Sequence, residues 1–323
     1  MTTSVCMGTY NGEKYITEQL YSILHQTKQP DEVILCDDGS KDGTVYCIQK
    51  FIAENQLADK WHLYENTKNK GYPNNFYYAC SLCTKEVVFL ADQDDIWDVR
   101  KLERMCQILE DGEDIQVVCC KFGLIDEVGT RFHTIMAPTH TKGTKQLRQI
   151  TIEDVFYKCE WPGMVVAYRN DWYTSWTREG MIHENVTSSE RYFHSRIPHD
   201  FLICAKAAES HAFIQMDEEL AYHRRHDSNV GGEEHRIQRL LNKARKLHEI
   251  EKYLKILTDF EQENVLKTQE GKTALYKKTQ SMQQRLNALQ SGKISRVIDN
   301  ARKNRENVRF ATMLCDILIV KQK

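Results

Sequence analysis

Long apolar runs are absent from this sequence: no stretch approaches the roughly 20 consecutive apolar residues that a membrane-spanning helix needs. The N-terminal segment MTTSVCMGTYNG also lacks the basic region followed by an apolar region that marks a secretory signal peptide. We therefore expect a globular protein that stays in the cytoplasm. With 323 residues, the chain is long enough for one large domain or for a domain with an appendage.

Two common nucleotide-binding motifs are missing as well. No G-x-x-x-x-G-K-[ST] loop is present, which argues against a P-loop enzyme, and no G-x-G-x-x-G follows the first predicted strand, which argues against a dehydrogenase. The 11 cysteines lie mostly within apolar runs. We therefore expect buried, reduced thiols and no disulfide framework.

Charge is distributed unevenly along the chain. The formal net charge is only −2, but residues 234–323 contain 20 Lys and Arg against 10 Asp and Glu, which leaves −12 for the first 233 residues. This asymmetry predicts an acidic catalytic part and a basic tail. After residue 233 the composition favours long polar helices up to residue 290 and a last helix that ends near residue 321. We predict a catalytic domain at residues 1–232 and a basic helical extension at residues 233–323.

Residues 4–120 alternate short apolar runs with helical patterns, which is typical of a parallel sheet covered by helices. The predicted strands are residues 4–7, 32–36, 61–64, 87–91 and 116–120. A further helix is predicted to begin near Asp200. The sequence therefore predicts an α/β fold.

Polar residues follow three of these strands at the point where each strand ends. They read GTYNGE at 8–13, DDGS at 37–40 and DQDD at 92–95. Each segment alone is what a turn or a helix N-cap requires. Ligands of doubly wound sheets bind at the carboxyl ends of the strands, so we expect the three segments to meet at one rim. The carboxylates gathered there repel one another unless a cation or hydrogen-bond donors lie between them.

Asp92 and Asp94 are the strongest candidates for holding such a cation. They are two residues apart, so in an extended segment both side chains point to one side. Oxygen ligands suit magnesium or manganese. An ion at this position would neutralise a departing diphosphate.

These segments resemble, in order, the motifs of glycosyltransferase family 2, with GTYNG at 8–12, DDGSKDGT at 37–44 and LADQDDIW at 90–97. Later segments resemble its rhamnosyltransferase-like branch, with NKGYPNNF at 69–76, HDF at 199–201 and YHRRHDSNVGG at 222–232. The resemblance covers about residues 3–232 and does not reach the basic tail. It implies a GT-A fold, in which helices flank a mostly parallel, Rossmann-like sheet.

The resemblance also implies a reaction. An inverting enzyme of this kind moves a sugar from a nucleoside diphosphate sugar to a hydroxyl group by a metal-assisted single displacement. The branch implies deoxythymidine diphosphate rhamnose as the donor and a growing cell-surface polysaccharide or a lipid-linked oligosaccharide as the acceptor. No nucleic-acid partner is expected. Two other classes stay open: a nucleotidyltransferase that makes activated sugars, although its Gly-rich, Arg-containing loop is not seen at residues 8–12, and a non-catalytic interaction protein.

The resemblance places two groups of residues around the donor. Thr9, Tyr10 and Asp38 are expected near the nucleotide base, and Asp92 and Gln93 near the ribose and the phosphates. The other predicted donor-binding residues are Asn11, Glu13, Asn69, Gly71 and Asn75.

Four further roles follow from the resemblance. Asp94 is expected to hold the Mg²⁺ or Mn²⁺ ion, with His226 as a second ligand. Arg224 or Arg225 is expected to contact the diphosphate. Asp200 is expected to be the catalytic base for the acceptor hydroxyl, at a helix N-terminus whose dipole keeps the carboxylate ionised.

The basic tail carries two alternative predictions. Its positive charge would attract the anionic inner face of the cell membrane, so that the protein associates with it peripherally. Alternatively, its helices form a bundle that packs within the chain or makes a homo-oligomer.

Overall fold

The computed structural model describes residues 1–132, 147–158, 161–180, 193–226, 242–305 and 308–321. The chain divides into two compact units, the first formed by Met1–Ile150 with Glu160–Arg224 and the second by Thr151–Cys159 with Arg225–Lys323. The predicted domain boundary at residue 232 lies outside the described residues. Residues 151–159 belong to the second unit, whereas the sequence pattern places them in the catalytic part.

The described strands are β1 (Thr3–Thr9), β2 (Glu32–Asp37), β3 (Trp61–Glu65), β4 (Val87–Ala91), β5 (Ile96–Trp97), β6 (Val117–Ile125), β7 (Arg131–Phe132), β8 (Arg148–Gln149), β9 (Val166–Arg169) and β10 (Phe213–Arg224). The described α-helices are α1 (Ile16–Leu24), α2 (Thr44–Glu54), α3 (Asn74–Leu82), α4 (Lys101–Asp111), α5 (Ile152–Lys158), α6 (Asn170–Gly180), α7 (His199–Glu209), α8 (Lys243–Gln262), α9 (Gln269–Gln290), α10 (Ile294–Lys303) and α11 (Phe310–Lys321).

The strands of the first unit form one mixed, mostly parallel sheet in the order β3-β2-β1-β4-β9-β6-β10-β5. Strands β3, β2, β1 and β4 are mutually parallel, and so are β6 and β10. Strand β9 lies antiparallel between β4 and β6. All five predicted strands are present, and the predicted α/β fold is confirmed.

Burial explains why the sequence forms these elements. Every residue of β2 and β4 is buried, which is why both read as continuous apolar runs and not as an alternating pattern. Helix α1 buries Ile16, Leu20 and Ile23 on one face, as its periodicity predicts. The apolar residues of the sheet are therefore buried. The polar residues lie in the loops that follow the strands, where the site is expected.

The second unit consists of α5 and the helices from α8 to α11. Phe156 of α5 packs edge-to-face on Phe260 of α8, with 5.5 Å between ring centroids. The guanidinium of Arg285 on α9 donates two hydrogen bonds, of 2.8 and 2.9 Å, to the carboxylate of Asp316 on α11. Gly292 lies just after α9 with a φ of 65°, at the predicted break, and two helices follow it where the sequence predicted one.

Within the described ranges, no helix is both long and apolar enough to cross a membrane.

Candidate active site

The loops that follow β1 and β4 are joined by a reciprocal pair of hydrogen bonds. The backbone N–H of Tyr10 donates to Oε1 of Gln93 at 2.9 Å, and Nε2 of Gln93 donates to the Tyr10 carbonyl at 3.0 Å. Gly12 makes this approach possible, because a Cβ atom at that position would lie 2.3 Å from Oε1 of Gln93. The Gln93 side chain thus holds the β1 loop against the β4 loop, while Tyr10 remains 49% exposed.

A second set of bonds joins the β1 loop to the β2 loop. Oδ1 of Asn11 accepts from the backbone N–H of Lys41 at 2.8 Å, and Oε2 of Glu13 accepts from the N–H of Gly43 at 2.8 Å. The hydroxyl of Thr9 is buried and donates to Asp37 at 2.9 Å. Three predicted donor-binding side chains are therefore used to fix one loop to its neighbour.

The carboxylate of Asp38 is buried and accepts three hydrogen bonds. Oδ1 accepts from the N–H of Lys70 at 2.7 Å and from the side chain of Asn66 at 2.9 Å, and Oδ2 accepts from the N–H of Gly71 at 2.8 Å. Gly71 has a φ of +71°, a left-handed conformation that glycine adopts readily. Asp38 therefore shapes the turn before α3.

Asn69 and Asn75 extend this arrangement. Nδ2 of Asn69 donates to the Asp38 carbonyl at 2.9 Å, and Nδ2 of Asn75 donates to the Cys36 carbonyl at 2.8 Å. The structure thus brings the predicted donor-binding residues of the strand-end loops to one edge of the sheet. Most of their polar groups are hydrogen-bonded within the protein. These residues therefore fix the shape of the loops around the site.

Four carboxylates come together at the end of β4. The pKa of Asp92 is raised well above its usual value, first by burial and then by the charges of Asp95, Asp94 and Asp200. Lys101 acts in the opposite direction, and its own pKa is lowered to about 7, mainly by burial. Asp200 therefore lies within electrostatic reach of a segment more than a hundred residues earlier in the chain.

Lys101 is a site residue that the sequence analysis missed. Its ammonium group is fully buried, donates to the Met164 carbonyl and lies 3.4 Å from the centroid of the Trp97 ring. A signal for it exists in the sequence. Lys101 lies four residues before Met105 and eight before Leu109, so it falls on the apolar face of α4.

The residues of the cluster fit a divalent ion that is shared with a ligand. Among the described residues, no group of three or more His, Cys, Asp or Glu side chains is arranged to hold a metal unaided. Magnesium and manganese are commonly held by one or two carboxylates together with substrate phosphate oxygens and water. Asp94, with Asp92 beside it, supplies that number of hard oxygen ligands, and a cation would relieve the repulsion that, after burial, raises the Asp92 pKa.

Asp200 lies in the first turn of α7, as predicted. Its Oδ2 accepts from the backbone N–H of Gly163 at 3.1 Å, and its Oδ1 accepts from the N–H of Phe201 at 2.8 Å. Gly163 begins the short 3₁₀ turn that leads into β9. Two separate parts of the chain therefore fix the orientation of this carboxylate.

Two aromatic residues next to Asp200 were not predicted. His199 is buried and stacks on Phe76 at 3.9 Å, and burial lowers its pKa to about 4, so it is neutral at pH 7. The ring of Tyr72 packs edge-on against His199. Averaged over all its atoms, Tyr72 is 60% exposed. Burial of its hydroxyl, followed by the charges of Asp200 and Asp92, raises the Tyr72 pKa well above its usual value. The Tyr72 hydroxyl therefore lies within electrostatic reach of both the predicted base and the acidic segment.

Arg224 has several hydrogen-bond partners within the protein. Its side chain is fully buried, and the guanidinium donates to Glu18 at 2.5 Å, to the Asp94 carbonyl at 2.9 Å and to the Glu127 carbonyl at 2.9 Å. Its backbone N–H donates to Oδ1 of Asp95 at 3.0 Å. Arg224 thus holds the acidic segment in place through the Asp94 carbonyl and the Asp95 carboxylate. Its predicted contact with the diphosphate stays a prediction.

Arg225 and His226 are half-buried. They belong to the second unit and begin its longer segment, Arg225–Lys323. The motif that contains them continues through residues 227–232, which lie outside the described residues. Their roles as phosphate contact and metal ligand stay predictions.

The sequence model of glycosyl transferase family 2 matches residues 4–164, the part of the chain that carries β1, β2, β4 and their polar ends. Residues 4–164 belong to glycosyltransferase family 2. A provisionally named glycosyltransferase of Bacillus subtilis, EpsE, is 35% identical over 128 residues, which is 40% of this chain and 45% of EpsE. The matching part of the chain spans less than half the length of such curated relatives.

Two solved structures resemble the fold of this chain. Residues 1–349 of Staphylococcus aureus TarS, solved in complex with UDP, superpose with a TM-score of 0.56 at 19% identity over 88% of this chain and 71% of that one. The mannosyltransferase PcManGT of Pyrobaculum calidifontis, in complex with GDP-Man and Mn²⁺, superposes with a TM-score of 0.51 at 15% identity over 98% of this chain and 85% of that one. The predicted GT-A fold with C-terminal helices is confirmed.

Proposed function

We propose that this chain is an inverting, metal-assisted glycosyltransferase that moves a sugar from a nucleoside diphosphate donor to a hydroxyl group of a glycan or lipid-linked acceptor. The observation that carries the proposal is the approach of Asp200 to the acidic segment. Its charge raises the pKa of Asp92, and two backbone N–H groups orient its carboxylate. A helix-start aspartate with only a structural role would need neither the bond from Gly163 nor the approach to Asp92.

The proposed chemistry assigns one task to each group. Asp200 accepts the proton of the acceptor hydroxyl, whose oxygen forms a bond to the anomeric carbon on the face opposite the diphosphate. The bond between the anomeric carbon and the diphosphate oxygen breaks in the same step, which inverts the configuration. Asp94 and Asp92 would hold the divalent ion, which as a Lewis acid stabilises the leaving diphosphate. Buried Lys101 compensates part of the remaining negative charge.

The strand-end loops would receive the nucleotide. The hydrogen bonds between these loops do not use the side chain of Tyr10, which is half exposed. Its ring could stack on the nucleotide base, since aromatic faces stack on nucleobases. For the donor we propose deoxythymidine diphosphate rhamnose, on the resemblance of residues 69–76 and 199–201 to the rhamnosyltransferase-like branch. The competing donors are the uridine and guanosine diphosphate sugars, because the TarS and PcManGT structures contain UDP and GDP-Man.

The test is a donor panel of deoxythymidine diphosphate rhamnose, UDP-glucose, UDP-GlcNAc and GDP-mannose, each with Mn²⁺ or Mg²⁺. We expect one donor to release its nucleoside diphosphate, slowly with water and faster with an acceptor. NMR of the first product formed should show an inverted anomeric centre. Exchange of pyrophosphate into a sugar nucleotide would identify a nucleotidyltransferase. If no donor binds or reacts, the enzymatic proposal is wrong.

A further inference from the structure

Helix α11 exposes an apolar face. Phe310, Leu314 and Leu318 follow one another at intervals of four residues, so they lie on one side of the helix, and they are 71%, 44% and 50% exposed. The opposite side is buried and contains Ile319 and Asp316. Large apolar side chains scattered singly on a surface are ordinary, but a continuous stripe along a helix marks an interaction surface.

The orientation of this stripe is fixed by the rest of the second unit. Asp316 is 2% exposed on the buried side and accepts two hydrogen bonds from Arg285. A helix that turned its stripe inward would have to break this buried ion pair, which is costly because both charges would lose their partner. The exposed apolar face is therefore built into the packing of α11 against α9.

Basic residues border the stripe. An open pocket of about 320 Å³ lies at the start of α11 and is lined by Arg302, Arg305 and the apolar side chains of Ala301, Val308, Phe310 and Met313. Both arginines are exposed, and in the part of the chain that the structure describes neither has a carboxylate partner. Residues 293–323 carry eight Lys and Arg against three Asp and Glu. The pocket thus combines apolar side chains with two guanidinium groups that have no carboxylate partner among the described residues.

We propose that this face, defined by Phe310, Leu314, Leu318, Arg302 and Arg305, docks in the plane of an anionic lipid surface. The stripe enters the boundary between headgroups and acyl chains, and the two arginines bind headgroup phosphates. Charge selects this occupant over a second copy of the chain. Two copies would bring their basic borders together, whereas anionic lipid supplies the opposite charge over the whole face.

The proposal is independent of the proposed chemistry, and its test uses the full chain. Phosphatidylcholine vesicles with and without about one third phosphatidylglycerol are sedimented with the protein at low and high salt, because headgroup attraction should be screened by salt. We expect binding to the anionic vesicles and weaker binding at high salt. Leu314→Gln/Leu318→Gln and Arg302→Gln/Arg305→Gln should each lower the partition coefficient roughly tenfold.

Two matched variants and one further measurement keep the result interpretable. Lys272→Gln/Lys277→Gln removes two exposed charges from α9 and should bind within about twofold of wild type, if the effect is local to α11. Leu314→Ala/Leu318→Ala preserves helix propensity and replaces the Gln pair if that pair does not fold. Sedimentation velocity without vesicles measures the oligomeric state. Equal partitioning of wild type and both α11 variants, or a dimer that the leucine variants dissociate, would overturn the proposal. Nucleoside diphosphate release in solution should not change in any of these variants.

Discussion

The backbone N–H of Gly163 donates a hydrogen bond of 3.1 Å to the carboxylate of Asp200. The two residues are 37 positions apart, and the bond joins the 3₁₀ turn before β9 to the first turn of α7. A carboxylate that accepts hydrogen bonds from fixed backbone donors keeps one orientation. That is what a proton acceptor in a displacement reaction needs.

Asp200→Asn should lower turnover roughly 100- to 10,000-fold, because positioned bases contribute about that much to rate. The amide oxygen can still accept one backbone N–H, so the melting temperature should fall only slightly. Donor binding, measured by calorimetry, should remain. Turnover is measured as nucleoside diphosphate release.

The matched control is Asp171→Asn. Asp171 also lies in the first turn of a helix, α6, and accepts from the N–H of the following residue at 2.8 Å. It should keep full activity. An active, stable Asp200→Asn variant would show that Asp200 is structural only.

Gly12→Ala should destabilise the protein by about 1–2 kcal/mol. The new Cβ would lie 2.3 Å from Oε1 of Gln93, so the flexible side chain must move away and lose both hydrogen bonds to Tyr10. The Km for the donor should rise as the loops separate. Urea denaturation measures the change in the free energy of unfolding.

A double-mutant cycle separates this cause from backbone strain. In a Gln93→Ala background the clash is gone, so adding Gly12→Ala should cost much less than it does alone. Additive costs would mean that the contact between these two residues is not the reason for glycine at position 12.

His199 should make stability depend on pH. Its pKa is lowered by burial from 6.5 to about 4 in the folded state, so the unfolded state binds more protons between these values. The stabilisation is complete above pH 6.5 and is lost as the pH falls towards 4. At pH 5 the loss should be about 2 kcal/mol relative to pH 7.

Replacing His199 by Leu should remove this component. Urea denaturation of wild type and His199→Leu at both pH values gives the comparison, and the exposed residue His25, changed to Gln, serves as the control. An unchanged pH dependence in His199→Leu would mean that the ring of His199 is not buried in a neutral state.

Chelation should lower turnover roughly 100-fold, and Mn²⁺ or Mg²⁺ should restore it. Without the ion the leaving diphosphate carries its charge unscreened, and a loss of about 3 kcal/mol corresponds to roughly 100-fold in rate. Asp94→Asn should weaken Mn²⁺ binding in the presence of a nucleoside diphosphate, which electron paramagnetic resonance can measure. Asp98→Asn, four residues later on the same segment and paired with Arg100, should not. Full activity of Asp94→Asn in the presence of chelator would contradict the metal role.

Local patterns were enough to predict much of the fold. Strands β2 and β4 contain continuous apolar runs, and the helix at Asp200 is an apolar run that follows a polar residue. Because the strands are parallel, their carboxyl ends had to share one edge, which predicted the meeting of the polar loops. Strand β10 was not predicted, because its sequence FIQMDEELAYHR has four acidic and basic positions among its apolar ones and no continuous run.

The rest of the site depends on contacts between distant residues. Whether the Lys101 ammonium is covered depends on Trp97 and on the Met164 carbonyl, and the neutrality of His199 depends on Phe76 and Tyr72. The sequence also could not distinguish side chains that face a ligand from side chains that brace loops. Asp38 is the clearest example, since three donors from a later loop occupy its carboxylate.

The bracing of the strand-end loops has a consequence for how such a site can diverge. Exchanging Gln93, Asn11 or Asp38 would loosen the frame itself, because each holds one loop to another. Tyr10 is half exposed, and its ring joins no two of these loops, so this side chain is free to vary while the hydrogen bonds between the loops are kept. A lineage that changed its nucleotide would therefore be expected to record the change at Tyr10 and to retain the polar residues that join the loops.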